Sequence, residues 1–105
     1  MLESESAKVL KIYVNETYFY NTTPVYEYLL YQARDMELAG ATLMKGPVGF
    51  GQEELDEGIK YKLSNDIPIV LEIVDTSEKI ARFLPIAQKA LDGRGLIIEF
   101  DALVR

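Results

Sequence analysis

The stretch Gly40-Ala41-Thr42-Leu43-Met44-Lys45-Gly46-Pro47-Val48-Gly49-Phe50-Gly51 begins as a strand and ends as a glycine-punctuated loop. On a strand, Ala41, Leu43 and Lys45 share one pleat face, and Thr42 and Met44 share the other. Gly46, Pro47, Gly49 and Gly51 then break regular pairing and let the backbone approach a neighbour closely. Two readings stay open. With Lys45 at its root, the loop through Gly46, Gly49 and Gly51 can offer backbone N–H groups to an anion. Equally, the same glycines can mark a bulge in a bent hairpin that holds no ligand.

On the N-terminal side of this stretch, Lys8-Val9-Leu10-Lys11-Ile12-Tyr13-Val14 alternates as a strand, with Leu10, Ile12 and Val14 facing a core. Residues 1–7 are polar, acidic and aperiodic, which predicts a disordered N-terminus before a single domain over 8–105. A loop from Asn15 to Thr22 carries the aromatic triplet Tyr18-Phe19-Tyr20. Thr23-Pro24 predicts a helix start, a hydroxyl cap followed by proline at the first helical position. The helix is expected from Pro24 to about Leu38, with Val25, Leu29, Gln32, Ala33 and Met36 inward and Gly40 ending it.

On the C-terminal side, Gln52 to Gly58 reads as an acidic loop with Glu53, Glu54, Asp56 and Glu57. Ile59 to Ser64 reads as a short strand pairing back across it, and Asn65-Asp66 as a turn. Pro68-Ile69-Val70-Leu71-Glu72-Ile73-Val74 is the strongest strand, with proline allowed at its first position. Asp75-Thr76-Ser77-Glu78 has the form of a capping box. The helix behind it carries Ile80, Phe83, Leu84, Ala87, Ala90 and Leu91 at helical spacing, and Pro85 should kink or restart it. Asp92-Gly93-Arg94-Gly95 stops that helix, and Leu96 to Leu103 is the last strand. Between its two glycines, Arg94 can fork onto a phosphate or carboxylate; helix termination alone also accounts for the glycines.

The element order predicts an α+β fold, a ferredoxin-like βαββαβ sandwich whose antiparallel sheet carries two helices on one face. The other face would expose Val9, Tyr13, Val70, Val74 and Phe100 around Lys11 and Glu72. That is too apolar for open solvent and predicts a homo-oligomer.

What the chain lacks narrows its chemistry. Across 105 residues there is neither cysteine nor histidine, which removes disulfides, a Ser-His-Asp triad and any Cys/His zinc site. No paired-carboxylate arrangement is evident, the acidic cluster matches no calcium loop, and so neither catalytic nor metal-binding residues are assigned. The net charge of −6 argues against a nucleic-acid footprint. No apolar run approaches the roughly 20 residues of a membrane span, so direct membrane insertion is not expected and a cytoplasmic location is.

Several stretches together resemble the uncharacterised-domain family 190 (DUF190), which is grouped with the PII-like signalling proteins. They are Lys8 to Tyr13, Pro24-Val25-Tyr26-Glu27, Leu38 to Thr42 with Gly49-Phe50-Gly51, Pro68 to Asp75, Glu78-Lys79-Ile80 and Phe83-Leu84-Pro85. The resemblance covers roughly residues 8 to 103 and implies a trimer of ferredoxin-like subunits that is not an enzyme. In PII proteins a long loop between the second and third strands contacts a regulated partner. An adenine nucleotide sits between subunits at the base of that loop and at a Gly-rich turn. Here residues 47–67 occupy the loop position, Thr42 to Gly46 and Gly49 to Gln52 are similar to its base, and Asp92 to Gly95 to the turn. This turn is shorter, has fewer glycines and no following lysine, and the chain stops at Arg105 without a basic C-terminal segment. The resemblance thus implies ligand contacts from Lys45, Gly46, Gly49, Gly51, Gln52, Gly93, Arg94 and Gly95, with the nucleotide an effector and not a required cofactor. The alternative is a ligand-free scaffold that docks on a protein or a membrane transporter.

Overall fold

The computed structural model describes residues 6–46 and 67–105 in full and the backbone of 49–55 and 58–64. In chain order the elements are β1 (Ser6–Asn15), β2 (Phe19–Tyr20), β3 (Thr23–Pro24), α1 (Val25–Asp35), β4 (Gly40–Lys45), β5 (Gly49–Leu55), β6 (Gly58–Ser64), β7 (Pro68–Asp75), α2 (Ser77–Leu91) and β8 (Leu96–Leu103). The main sheet has four strands in the order β4-β7-β1-β8, all antiparallel to their neighbours. With α1 and α2 between its strands, this is the ferredoxin-like βαββαβ arrangement, an α+β fold. Two small hairpins, β2–β3 and β5–β6, are added to it.

Register explains the burial. Leu10 pairs with Ile73, Ile12 with Leu71 and Val14 with Ile69, which puts all six on one face. Onto them pack Val25, Leu29 and Ala33 of α1 and Ile80, Phe83, Ala87 and Ala90 of α2. Each fully buried side chain of this class contributes about 1.5–3 kcal/mol, so slipping the β1–β7 register by one residue would turn several such contributions out to water.

The ends of the elements differ from expectation in instructive ways. β1 starts at Ser6, with Ala7 buried, two residues earlier than the alternation predicted. The expected disorder of the first residues otherwise falls outside the described residues. α1 starts at Val25 with Pro24 as its cap, so Thr23 supplies no capping side chain. Instead, the Val25 N–H donates to the Tyr18 carbonyl at 2.8 Å. The helix also ends sooner than Leu38. Glu37 takes the left-handed conformation at φ 57°, its N–H donates to Arg34 O, and Leu38 N–H reaches back to Ala33 O. That is a Schellman closure with glutamate where glycine is usual; Gly40, expected to end the helix, opens β4 instead.

At α2 the cap is Thr76, whose Oγ1 accepts from Lys79 N at 3.3 Å, so the predicted Asp75–Glu78 box does not form. Asp75 has another task. Almost fully buried, its carboxylate accepts from Ala39 N at 2.8 Å and Thr76 N at 2.6 Å, tying the α1–β4 connection to the start of α2. Pro85 lies inside a single α2, which runs unbroken from Ser77 to Leu91. The predicted acidic loop from Gln52 is also corrected. Gln52 to Leu55 belong to β5, which pairs with β6 from Gly49↔Ser64 to Leu55↔Gly58.

The helix-free face of the sheet is mixed. Leu96, Met44, Phe100, Ile98 and Tyr13 are all exposed there, whereas Val9, between Val74 and Phe100, is buried within the chain itself. At its centre Lys11 stands 3.8 Å from Glu72 and 5.8 Å from the Phe100 ring centroid.

A side chain at φ 57° is strained by roughly 1 kcal/mol, and glycine removes that strain. Glu37→Gly should therefore raise the urea midpoint, by about 0.5–1 kcal/mol of stability. An unchanged or lowered midpoint would mean that the α1 terminus is closed in some other way.

Candidate ligand site

Lys45 ends β4, opposite Ile69 of β7, and Ile69 lies opposite Val14 of β1. Tyr13 is opposite Leu96, so Gly95 stands at the same end of the sheet as Lys45. They occupy opposite edges, because β4 and β8 are the outer strands. Three strand spacings, about 14 Å, lie between them. One subunit therefore does not bring the two predicted halves of the site together.

The β4 half is only partly free. Gly46 N–H donates to the Pro68 carbonyl at 2.8 Å, and a Cβ on Gly46 would meet Pro68 Cγ at 3.1 Å. Lys45 is exposed, with its ammonium 6.0 Å from the centroid of the Tyr26 ring on α1. Gly49, Gly51 and Gln52, expected in a loop, are β5 residues paired with Ser64, Lys62 and Tyr61.

The β8 half is a tight turn. Asp92 closes α2 at φ 51°, and Gly93 and Gly95 follow at φ 79° and 71°. At Gly95 a side chain is doubly excluded, since an added Cβ would run into the Tyr13 carbonyl oxygen. Arg94 is not extended toward solvent. Its Nε donates to Leu91 O at 2.8 Å, its Nη2 to Phe19 O at 2.9 Å and Ala90 O at 3.3 Å, and its guanidinium lies 5.0 Å from the Tyr18 ring centroid. Tyr18 and Phe19 thus shape this edge, a role that the sequence hinted at only through its aromatic triplet.

A cleft of about 530 Å³ opens elsewhere, lined by Ser6, Lys8, Ser77, Asp101 and Leu103. Lys8 there is 3.0 Å from Asp101 and 3.4 Å from Glu99. The hydrogen bond that its ammonium donates to Asp101, then the one to Glu99, raises its pKa above the ordinary lysine value. This cleft lies about 20 Å along β1 from the Lys45 end and contributes nothing to that site. Among the described residues, no group of three Asp or Glu side chains is placed to hold a metal ion, and no helix is long and apolar enough to cross a membrane.

Comparison with known proteins gives the class first. The fold is that of the PII-like proteins. CPII from Thiomonas intermedia K12, bound to ADP, AMP and acetate, superposes with a TM-score of 0.69 at 16% identity, covering 99% of this chain and 93% of that one. The B. subtilis GlnK–ATP complex superposes at 0.64 with 15% identity, covering 96% and 85%. Within that class, residues 7–104 match the DUF190 family, described as "Uncharacterized ACR, COG1993", and the chain belongs to it. A UPF0166 protein of Methanocaldococcus jannaschii is 34% identical over 98 residues, 93% of this chain and 91% of its own length.

The close approach of Gly95 to Tyr13 makes a direct prediction. Gly95→Ala should lower stability by more than about 1 kcal/mol, from left-handed strain plus the clash. Gly40→Ala, where an added Cβ meets nothing within 4 Å, should stay within about 0.5 kcal/mol of the parent in the same urea titration. Equal effects at the two sites would contradict the geometry.

Proposed function

We propose that this chain is the subunit of a cytoplasmic, PII-like homotrimer that senses a small anionic ligand, an adenine nucleotide, in the clefts between subunits. It is a signalling protein and not an enzyme. Lys45 and Gly46 at the β4 edge of one subunit, with Gly49, Gly51 and Gln52 beyond them, form one wall. Gly93, Arg94 and Gly95 at the β8 edge of the next form the other. Residues 47–67, which include the β5–β6 hairpin, face a regulated protein or transporter.

The observation that carries this reading is the separation of the two walls. They stand at one end of the sheet but on opposite edges, so a ligand touching both must bridge two copies. Because the two edges differ, the contact between copies is heterologous, and such contacts either close into a ring or run on as a filament. A ring of three agrees with the family resemblance and covers the apolar residues Leu96, Ile98 and Phe100. Solved structures of the same fold with ATP, or with ADP, AMP and acetate, support the choice of ligand class.

Sedimentation should give about three times the 11.9 kDa of one chain. Calorimetric titration of that species with AMP, ADP and ATP should give saturable heat for at least one of them. An intact trimer silent to all three would favour the ligand-free scaffold instead, and a stable lone subunit would remove the cleft altogether.

A further inference from the structure

Resting on that reading of the cleft, we propose that Arg94 is a positioning residue and not a phosphate ligand. Its guanidinium holds the Gly93–Gly95 turn from behind, while the ligand meets Lys45 and the turn's backbone. Arginine between two glycines at a ligand edge invites the opposite assignment, but two of its three side-chain nitrogens are already turned inward onto backbone carbonyls. Nε serves Leu91 O, Nη2 serves Phe19 O and Ala90 O, and the plane lies over Tyr18. Its own backbone N–H donates to Leu91 O at 3.1 Å as well. By contrast, the N–H groups of Gly93 and Gly95 have no backbone partner among the described residues.

The clamp has a mechanical consequence. Tyr18 supplies the ring under Arg94 and, through its carbonyl, takes the first N–H of α1 at Val25. Phe19 supplies the carbonyl that Arg94 reaches across 75 residues of sequence. One guanidinium therefore joins the last turn of α2, the β1–β2 loop and the entry to α1, with the glycine turn between them. A lysine cannot replace it, because a point ammonium lacks the planar fork that meets several carbonyls and stacks on a ring at once.

The two assignments respond differently to ligand charge. A residue that touches phosphates loses more affinity for ATP than for AMP when it is altered, whereas one that sets the backbone loses the same factor for each. Titration of AMP, ADP and ATP against the full chain and its Arg94→Lys variant should therefore show a uniform loss of roughly tenfold. Lys45→Gln should instead lower ATP affinity by a larger factor than AMP affinity. Tyr18→Leu leaves Arg94 in place but removes its stacking surface, and should reproduce the uniform loss at roughly threefold, which keeps the test usable if Arg94→Lys does not fold. A loss in Arg94→Lys that grows with phosphate number would overturn the proposal and leave the nucleotide reading standing. Unchanged affinity in a folded Arg94→Lys would also overturn it, leaving Arg94 a stability element alone. If the parent chain binds none of the three, both the nucleotide reading and this proposal fall.

Discussion

Both helices are bound to the same side of the sheet, and everything else follows from that. Leu10, Ile12, Leu71 and Ile73 are fully buried because α1 and α2 lay their apolar stripes across them. The two crossovers put α1 between β1 and β4 and α2 between β7 and β8, which leaves β4 and β8 as the outer strands. Two edges and one uncovered face are the inevitable remainder. The uncovered face is where Leu96, Ile98 and Phe100 stay in contact with solvent in a single chain.

Because β4 and β8 point opposite sequence ends toward the same rim, the turn after α2 and the root of the β5–β6 hairpin arrive there together yet on opposite edges. Lys45 belongs to one edge and Gly95 to the other. The local chemistry of each is modest taken alone. One edge offers an exposed ammonium near Tyr26, the other a glycine turn clamped by Arg94. Their combined chemistry is available only to an assembly, which makes subunit contact part of the proposed sensing and not merely its scaffold.

Much of this was legible in the sequence. Strict alternation in β1 and in Pro68–Val74 gave the strand faces correctly, and the span of β8 was read without error, since period-two patterning is a direct image of burial. Chain ends of helices were read less well, because caps are set by tertiary partners. Tyr18 O replaces Thr23 as the acceptor at α1, Glu37 replaces Gly40 at its end, and Thr76 replaces Asp75 at α2 because Asp75 bonds to Ala39. The glycines at 49 and 51 were read as loop because glycine is depleted in strands, yet pairing with β6 takes them into β5. The partners of Arg94 could not be seen at all. A side chain reaching a carbonyl 75 residues away leaves no trace in local spacing.

The claim that the two edges meet between subunits can be tested by linking them. The chain has no cysteine, so Met44→Cys on β4 and Leu96→Cys on β8 introduce the only thiols present. Those two positions end the same cross-sheet row and lie about 14 Å apart within one chain. A thiol cross-linker shorter than that span should join the two single variants only when they are mixed in one assembly, and should carry the double variant to covalent trimers. Double-variant chains that stay monomeric on a denaturing gel, whether unlinked or linked only within themselves, would contradict the account.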